Sequence, residues 1–220
     1  MNYAIIVAGG SGSRMKTEVP KQFLPLNGLP VLMHTITAFH KSSIHPEIIL
    51  VLNPEFHSYW QNLCTEYNFS IPHKTIAGGA QRFDSVKNAL ALINEDGYIA
   101  VHDAVRPVIS EELIKRCFEK AKETQNAIPV VTSRDSLRKK EGEQTKAINR
   151  DDILIVQTPQ VFKSTLLKEA YSQPFTSEFT DDASVVEKAG HLIHTVEGDF
   201  KNIKITYPED LEIASLFLKN

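Results

Sequence analysis

The chain has 220 residues, 42% hydrophobic and 23% charged, and its 24 Lys+Arg against 27 Asp+Glu give a net charge of −3. That length suits one large domain or one domain with an appendage, and the composition is that of an ordinary soluble globular protein. The negative balance excludes the basic footprint of a nucleic-acid binder. The longest aliphatic runs, residues 4–8 and 48–52, are five residues each, far short of the ~18 of a membrane helix. No basic region precedes the first apolar run, so no secretory signal is visible. Two cysteines, Cys64 and Cys117, cannot build a disulfide framework; both fall in helix-like segments, where the plain reading is a small buried hydrophobe. These features predict a cytoplasmic protein with neither nucleic acid nor membrane as a partner.

Along the chain, short β-branched runs alternate with helical stretches. Residues 3–7 form a compact apolar run, as expected of a strand buried on both faces. Residues 30–41 carry Val31, Leu32, Ile36 and Phe39 at helical spacing. A strand at 47–52 is closed by Asn53-Pro54, and a helix at 55–67 follows. A short strand at 74–77 precedes Gly78-Gly79. Residues 82–93 predict a helix with Val86, Leu90 and Ile93 on one side, and 98–102 another strand. Ser110 is a predicted N-cap, with Glu111 and Glu112 at the positive end of the next helix. A fifth strand spans 126–131. Such alternation implies right-handed crossovers and a mostly parallel sheet covered on both faces, a Rossmann-like three-layer α/β/α sandwich.

The pattern changes after Thr132. Residues 133–152 are charge-rich, have no helical period and contain Gly142. So long a structureless stretch is unusual inside a compact domain. Alone, it reads slightly better as a solvated loop than as a hairpin arm around 140–143 packing on a second copy. The α/β character resumes with 157–162 and a helix at 164–171. Thr180 is a candidate cap for a helix that Gly190 ends. Residues 203–206 predict a strand, and Pro208 the first position of a last helix to 218.

The strongest local signal is the first strand opening into Val7-Ala8-Gly9-Gly10-Ser11-Gly12-Ser13-Arg14-Met15. Glycines after a strand let backbone N–H groups approach a phosphate closely. The dinucleotide fingerprint fails, because its third glycine position is Met15, and no Gly-Lys-Ser/Thr completes a P-loop. What remains is a phosphate loop with an arginine at its end. Lys21, in Pro20-Lys21-Gln22-Phe23, adds a second cation seven residues on. Fixed cations beside such a cradle suit a nucleoside triphosphate whose α-phosphorus is attacked, since negative charge then grows on the equatorial oxygens and the leaving pyrophosphate.

These segments resemble the sugar-phosphate nucleotidyltransferase family, and within it the cytidylyltransferases acting on methylerythritol phosphate. The resemblance also rests on Gly78-Gly79-Ala80-Gln81-Arg82-Phe83-Asp84-Ser85-Val86, Val101-His102-Asp103-Ala104-Val105-Arg106-Pro107, Gln157-Thr158-Pro159-Gln160, Thr180-Asp181-Asp182-Ala183-Ser184 and Asn202-Ile203-Lys204-Ile205-Thr206. It covers essentially the whole chain, 1–220, as one nucleotidyltransferase domain. It implies an enzyme of the non-mevalonate isoprenoid pathway. CTP and the sugar-alcohol phosphate give a CDP-alcohol and pyrophosphate by in-line attack of the substrate phosphate, with no protein nucleophile. Arg14 and Lys21 match the family's catalytic cations. Ala8, Gly9, Gly10, Ser11, Gly12, Gly79, Ser85, Asp103 and Ala104 fall on the nucleotide side. Asp103, Arg106, Asp135, Arg150, Thr158, Thr180 and Lys204 fall on the acceptor side. The resemblance turns 133–152 into a dimerisation arm that delivers Arg150 across a homodimer. It also brings Mg²⁺.

Several of these positions have plainer readings. Asp103 ends a strand where such sheets bind ligands; it suits ribose or a magnesium ion held mostly by phosphate and water, or simply a turn. His102 reads as a packed side chain, because a phosphate nucleophile is already ionised. Arg106 either anchors phosphate or braces its loop. His191-x-x-His194 lacks a third ligand and reads as surface. Ala80 replaces a common aspartate and Ser136 a common threonine. The rival readings are a ribitol 5-phosphate cytidylyltransferase and, more distantly, a nicotinamide-dependent oxidoreductase or nucleotide-binding module; Met15 and the Arg14/Lys21 pair oppose the latter two.

Overall fold

The computed structural model describes residues 1–9 and 19–219. Strand β1 (Asn2–Ala8) has the alternation that decides the architecture: Ala4, Ile6 and Ala8 enter one apolar cluster, Tyr3 and Ile5 another. Both faces are buried, so helices must cover both. After it come β2 (Pro25–Leu26), β3 (Leu29–Pro30), α1 (Val31–Lys41), β4 (Glu47–Leu52), α2 (His57–Glu66), β5 (Lys74–Ala77), α3 (Arg82–Leu90) and β6 (Tyr98–Asp103). The second half holds α4 (Glu111–Thr124), β7 (Asn126–Thr132), β8 (Leu137–Glu141), β9 (Gln144–Ile148), β10 (Leu154–Val156), β11 (Gln160–Lys163), α5 (Ser164–Ala170), α6 (Asp182–Lys188), β12 (Thr195–Glu197) and α7 (Pro208–Phe217).

The main sheet runs β10-β7-β11-β6-β1-β4-β5, with β12 also on β7. Strand β1 pairs in parallel with β4 and β6, and β4 with β5. Strand β11 is antiparallel to both β6 and β7, so those two share a direction. Only β10 and β11 oppose the rest, which gives the mostly parallel sheet expected of the alternating pattern. One layer, on Ile6, Leu50 and Leu52, contains α1, α2 and α4; the other, on Ile5, Val51 and Val101, contains α3, α5 and α6. A third cluster, with Leu26, Val31, Val105, Ile205 and Ala214, seats α7.

Helix starts obey local chemistry. The Ser110 hydroxyl accepts from the Leu113 N–H at 3.2 Å and caps α4. Leu113, Ile114, Cys117, Phe118 and Ala121 form the buried stripe of that helix. Burial pushes the Cys117 thiol up to about 12, so it is an inert core residue at neutral pH.

The hairpin arm expected within 133–152 is present as β8 on β9, with Gly142 at φ +64° in its turn. Three local expectations change. The cap of α6 is Asp181, not Thr180: its carboxylate accepts from Ser184 N–H at 2.9 Å, while the Thr180 N–H meets the Ser184 hydroxyl. Residues 203–206 are not a strand; a single ladder-like bond, Ile205 N–H to Val105 O at 2.9 Å, ties them sideways. Strands β10 and β12 add edges the periodicity does not announce. Among the described residues, no helix is long and apolar enough to cross a membrane.

Leu50 is fully buried in the middle of β4, whereas Leu192 is 81% exposed. Leu50→Ala is expected to cost about 2–5 kcal/mol and Leu192→Ala under about 0.5 kcal/mol, read from urea unfolding midpoints. Equal midpoints for the two variants would contradict the layer assignment.

Candidate active site

Register brings the carboxyl ends of β1, β4 and β6 to one edge: Val7 lies opposite both Val51 and Asp103. Ligands of open α/β sheets bind at this edge. The loop after β5 folds back onto it, with Gly78 N–H donating to Leu52 O at 2.9 Å. The Gly79 N–H donates to the Ser85 hydroxyl at 3.0 Å, and that hydroxyl donates to Gln81 O at 3.1 Å. A Cβ on Gly79 would lie 2.3 Å from Asp84 Cβ, so only glycine lets this loop close on the first turn of α3. A Cβ on Gly9 would stand 3.6 Å from the same Ser85 oxygen. The sites expected at Ala8, Gly9, Gly79 and Ser85 thus gather at one corner. Gly10, Ser11, Gly12 and Arg14 lie outside the described residues.

Lys21 opens a short 3-10 turn, Lys21–Phe23. The turn is held against β1 by Gln22 Nε2, which donates to Ala8 O at 2.9 Å, and by Phe23 packed among Phe56, Tyr59 and Trp60. The Lys21 side chain is buried, and its Nζ donates to Ile205 O at 2.7 Å. Lys204, the next residue along that segment, points its Nζ at Asp103 Oδ2, 2.8 Å away. Lysines from opposite ends of the chain therefore meet on one short segment.

Asp103 is the anionic centre of this corner. Arg106 Nε lies 3.5 Å from its Oδ2 and Arg82 Nε 4.0 Å from its Oδ1. Burial opposes its ionisation, but Lys204, Arg82 and Arg106 outweigh that and hold its carboxyl well below the usual carboxylate range. It is charged at any working pH. Arg82 is held from behind: its Nη2 donates to Asp182 Oδ2 at 2.6 Å, and Tyr171 OH donates to Asp182 Oδ1 at 2.6 Å. Arg106 also braces the neighbouring segment, donating from Nη1 to Asn202 O at 2.8 Å.

A buried hydrogen-bond chain fixes the backbone beneath Asp103. His102 Nε2 faces the Arg106 carbonyl at 3.2 Å, which must accept, so Nε2 carries the proton. Nδ1 then accepts from the Thr158 hydroxyl at 3.0 Å, and Thr158 accepts from the Asp103 N–H at 3.1 Å. Burial lowers the His102 pKa to about 4, in keeping with a neutral, packed ring.

The remaining expected residues are spread out. Ala104 is buried, its N–H on Val7 O and its carbonyl accepting from the Thr35 hydroxyl. Thr180 is exposed beside the cap of α6. Asp135 and Arg150 are exposed at the base of the hairpin, where Arg150 Nη1 donates to Arg134 O at 3.0 Å. The chain's own fold does not bring these two into the Asp103 cluster, whose described ion-pair partners are Arg82, Arg106 and Lys204. Arg82, Asp182, Tyr171 and Asn202 were not singled out by sequence. Three of them lie within the motifs that carry the resemblance, but a hundred positions separate Arg82 from Asp182, and Tyr171 carries no motif at all.

Among the described residues no group of three or more His, Cys, Asp or Glu could hold a metal ion. Asp103 offers one carboxylate, its Oδ2 taken by Lys204 and Arg106. That donor set does not fit a resident protein-held metal. It does fit a magnesium ion carried by phosphates, which needs only one or two carboxylates and keeps its waters.

The chain matches over residues 2–220 the family model described as 2-C-methyl-D-erythritol 4-phosphate cytidylyltransferase. It is 50% identical over 214 residues to the protein of that name from Bacteroides thetaiotaomicron, covering 97% of this chain and 98% of that one. The namesake from Porphyromonas gingivalis is 46% identical over 218 residues, 98% and 97% of the two chains. Among solved structures, the 2-C-methyl-D-erythritol 4-phosphate cytidylyltransferase of Thermus thermophilus superposes with a TM-score of 0.81 at 30% identity, covering 100% of both chains. That of Francisella tularensis gives 0.81 at 31% identity, over 98% of this chain and 99% of that one.

Because the folded His102 takes up its proton only near pH 4, the unfolded chain binds more protons between about pH 4 and 6.5. Stability contributed by the neutral ring is complete above about pH 6.5 and falls as pH drops toward 4, by about 3 kcal/mol in all. Chemical denaturation at pH 7.5 and 4.5 reads this loss, and His102→Gln is expected to shrink the difference. An unchanged pH dependence in that variant would remove His102 as its source.

Proposed function

Since the chain belongs to the 2-C-methyl-D-erythritol 4-phosphate cytidylyltransferase family, we propose that it joins CTP to 2-C-methyl-D-erythritol 4-phosphate, yielding 4-CDP-2-C-methyl-D-erythritol and pyrophosphate. The observation carrying this is the meeting of Lys21 and Lys204 on one segment at the carboxyl edge of the sheet, beside Asp103. A phosphate oxygen of the acceptor attacks the α-phosphorus of CTP. A new P–O bond forms as the bond to the bridging oxygen breaks, and pyrophosphate leaves with the electron pair.

In this reading Ala8, Gly9, Gly79 and Ser85, with the backbone of Gly10, Ser11 and Gly12, hold the cytidine and its phosphates. Lys21 and Arg14 meet the charge that grows on the α-phosphoryl oxygens and the leaving group. Lys21 suits that work, because a carbonyl already aims its ammonium and little reorganisation is needed. Asp103 and Ala104 stand between nucleotide and acceptor. Lys204, Arg106, Thr158 and Thr180 form the acceptor side, and Thr158 and Arg106 act there through the contacts that fix the Asp103 loop. Magnesium arriving with the triphosphate would supply neutralising charge, and Asp103 would be the protein carboxylate nearest to hold it. Asp135 and Arg150 complete the acceptor side from the arm, 133–152, of a second copy in a homodimer. The whole chain then acts as one nucleotidyltransferase unit in the cytoplasm, where its unpaired cysteines stay reduced. The names of the relatives favour methylerythritol phosphate over ribitol phosphate, and nothing favours hydride transfer.

Pyrophosphate release from CTP is expected with 2-C-methyl-D-erythritol 4-phosphate and not with ribitol 5-phosphate. Lys21→Ala and Arg14→Ala are each expected to lower kcat by about 10²-fold or more while the fold survives, as read by circular dichroism. Near-normal turnover in both variants would take these cations out of the mechanism.

Arg150 acting across a dimer has its own test. Mixing Arg150→Ala subunits with Lys21→Ala subunits is expected to recover activity, since each mixed dimer then owns one intact site. No recovery after verified subunit exchange would confine Arg150 to its own chain.

A further inference from the structure

The segment joining β12 to α7 carries Lys204 but has no helix or strand of its own. Its course is set by side chains that reach it from elsewhere. Gln157 grips Asp199 twice: its Nε2 donates to Asp199 O at 2.8 Å, and its Oε1 accepts from Asp199 N–H at 3.1 Å. Asn202 Nδ2 donates to Thr158 O at 2.8 Å, and Asn202 O accepts from Arg106. Ile205 is fully buried in the third apolar cluster, and its N–H is on Val105 O. Between the Asp199 and Asn202 ties, the segment leans on a further contact from outside. The Phe200 ring, 44% exposed, lies beneath the Arg134 guanidinium, 3.9 Å from ring centroid to Cζ.

That distance is a direct stack, well inside the about 6 Å reach of cation–π attraction. Arg134 stands at the root of the hairpin, between the end of β7 and the start of β8, and its carbonyl accepts from Arg150. A half-exposed phenylalanine on an irregular segment has little core to fill, so its stack is its main tie. We propose that Arg134 and Phe200 are positioning residues: their stack fixes residues 199–204 so that the Lys204 ammonium meets the acceptor phosphate, and it makes that placement depend on how the root of the arm is seated. Neither residue touches a substrate. The inference rests on the reading of Lys204 as an acceptor-side cation. Lys21 is insulated from it, because its anchor at Ile205 is held by core packing and by Val105.

The test is steady-state kinetics of the full chain with CTP and 2-C-methyl-D-erythritol 4-phosphate varied independently, for Phe200→Leu, Phe200→Tyr, Arg134→Gln and the Phe200→Leu/Arg134→Gln double variant. Phe200→Leu and Arg134→Gln are each expected to raise KM for the acceptor roughly two- to five-fold, the size of a partly exposed cation–π contact. KM for CTP and kcat stay at wild-type values, and the melting temperature falls by no more than a few degrees. Phe200→Tyr keeps the ring face and behaves as wild type, and the double variant is no worse than either single one, as for two halves of one contact. Unchanged acceptor KM, equal rises for both substrates, a tyrosine variant as poor as leucine, or additive effects would each overturn the proposal. Lys204→Gln separates the two levels. If it leaves acceptor KM untouched, the reading of Lys204 fails. If it raises that KM while Phe200→Leu does not, only the stack fails.

Discussion

The buried carboxylate of Asp103 draws the corner together. Arg82 in α3, Arg106 just after β6 and Lys204 before α7 would repel one another without Asp103 between them, and Asp182 shares Arg82 from behind. Taking charges out of water is costly unless they are paired, so the acidic centre is what allows cations to stand so close at a partly buried edge. In the proposed reading the acceptor phosphate meets this concentration of positive charge, held before it arrives. The same arrangement gives Asp103 its permanent charge: the neighbours that need it keep it ionised.

Support for that centre runs backward through the fold in two directions. Beneath it, the Thr158 hydroxyl donates to His102 Nδ1 and accepts from the Asp103 N–H. Behind Arg82, Asp182 is fully buried, with Tyr171 on its other oxygen. Groups of this kind fix the orientation of Asp103 and Arg82, as supporting shells commonly do at binding sites.

Much of the architecture was legible because it depends on local pattern. Alternating β-branched and helical stretches are sufficient for a mostly parallel, two-sided sheet, and Ser110 announced its helix by chemistry alone. Lys21 and the Gly79–Ser85 corner were legible from motifs whose residue types suit phosphate and close backbone approach. What escaped depends on distance. The Arg82–Asp182 pair joins α3 to α6, and no period links them. Residues 203–206 have the composition of a strand, yet a single backbone bond to Val105 and side chains such as Lys21 tie them instead of a ladder, so propensity loses to context. Thr180 lost the cap of α6 to Asp181 because the next carboxylate reaches the Ser184 amide. The charged stretch 133–152 taken alone leaves loop and hairpin arm open; the resemblance favours the arm, and β8 pairs with β9 there.

The bond from Lys21 to the carbonyl of Ile205 spans 184 positions of sequence. It follows that the corner cannot exist during most of the chain's synthesis. At ribosomal speeds of roughly 5–20 residues per second, the amino-terminal strands emerge many seconds before the tail that steadies the lysine. A nascent chain can build its first layers and still lack this anchor until residue 205 has cleared the exit tunnel. The lysine's placement is thereby tied to late synthesis, and chains cut before residue 205 lose it.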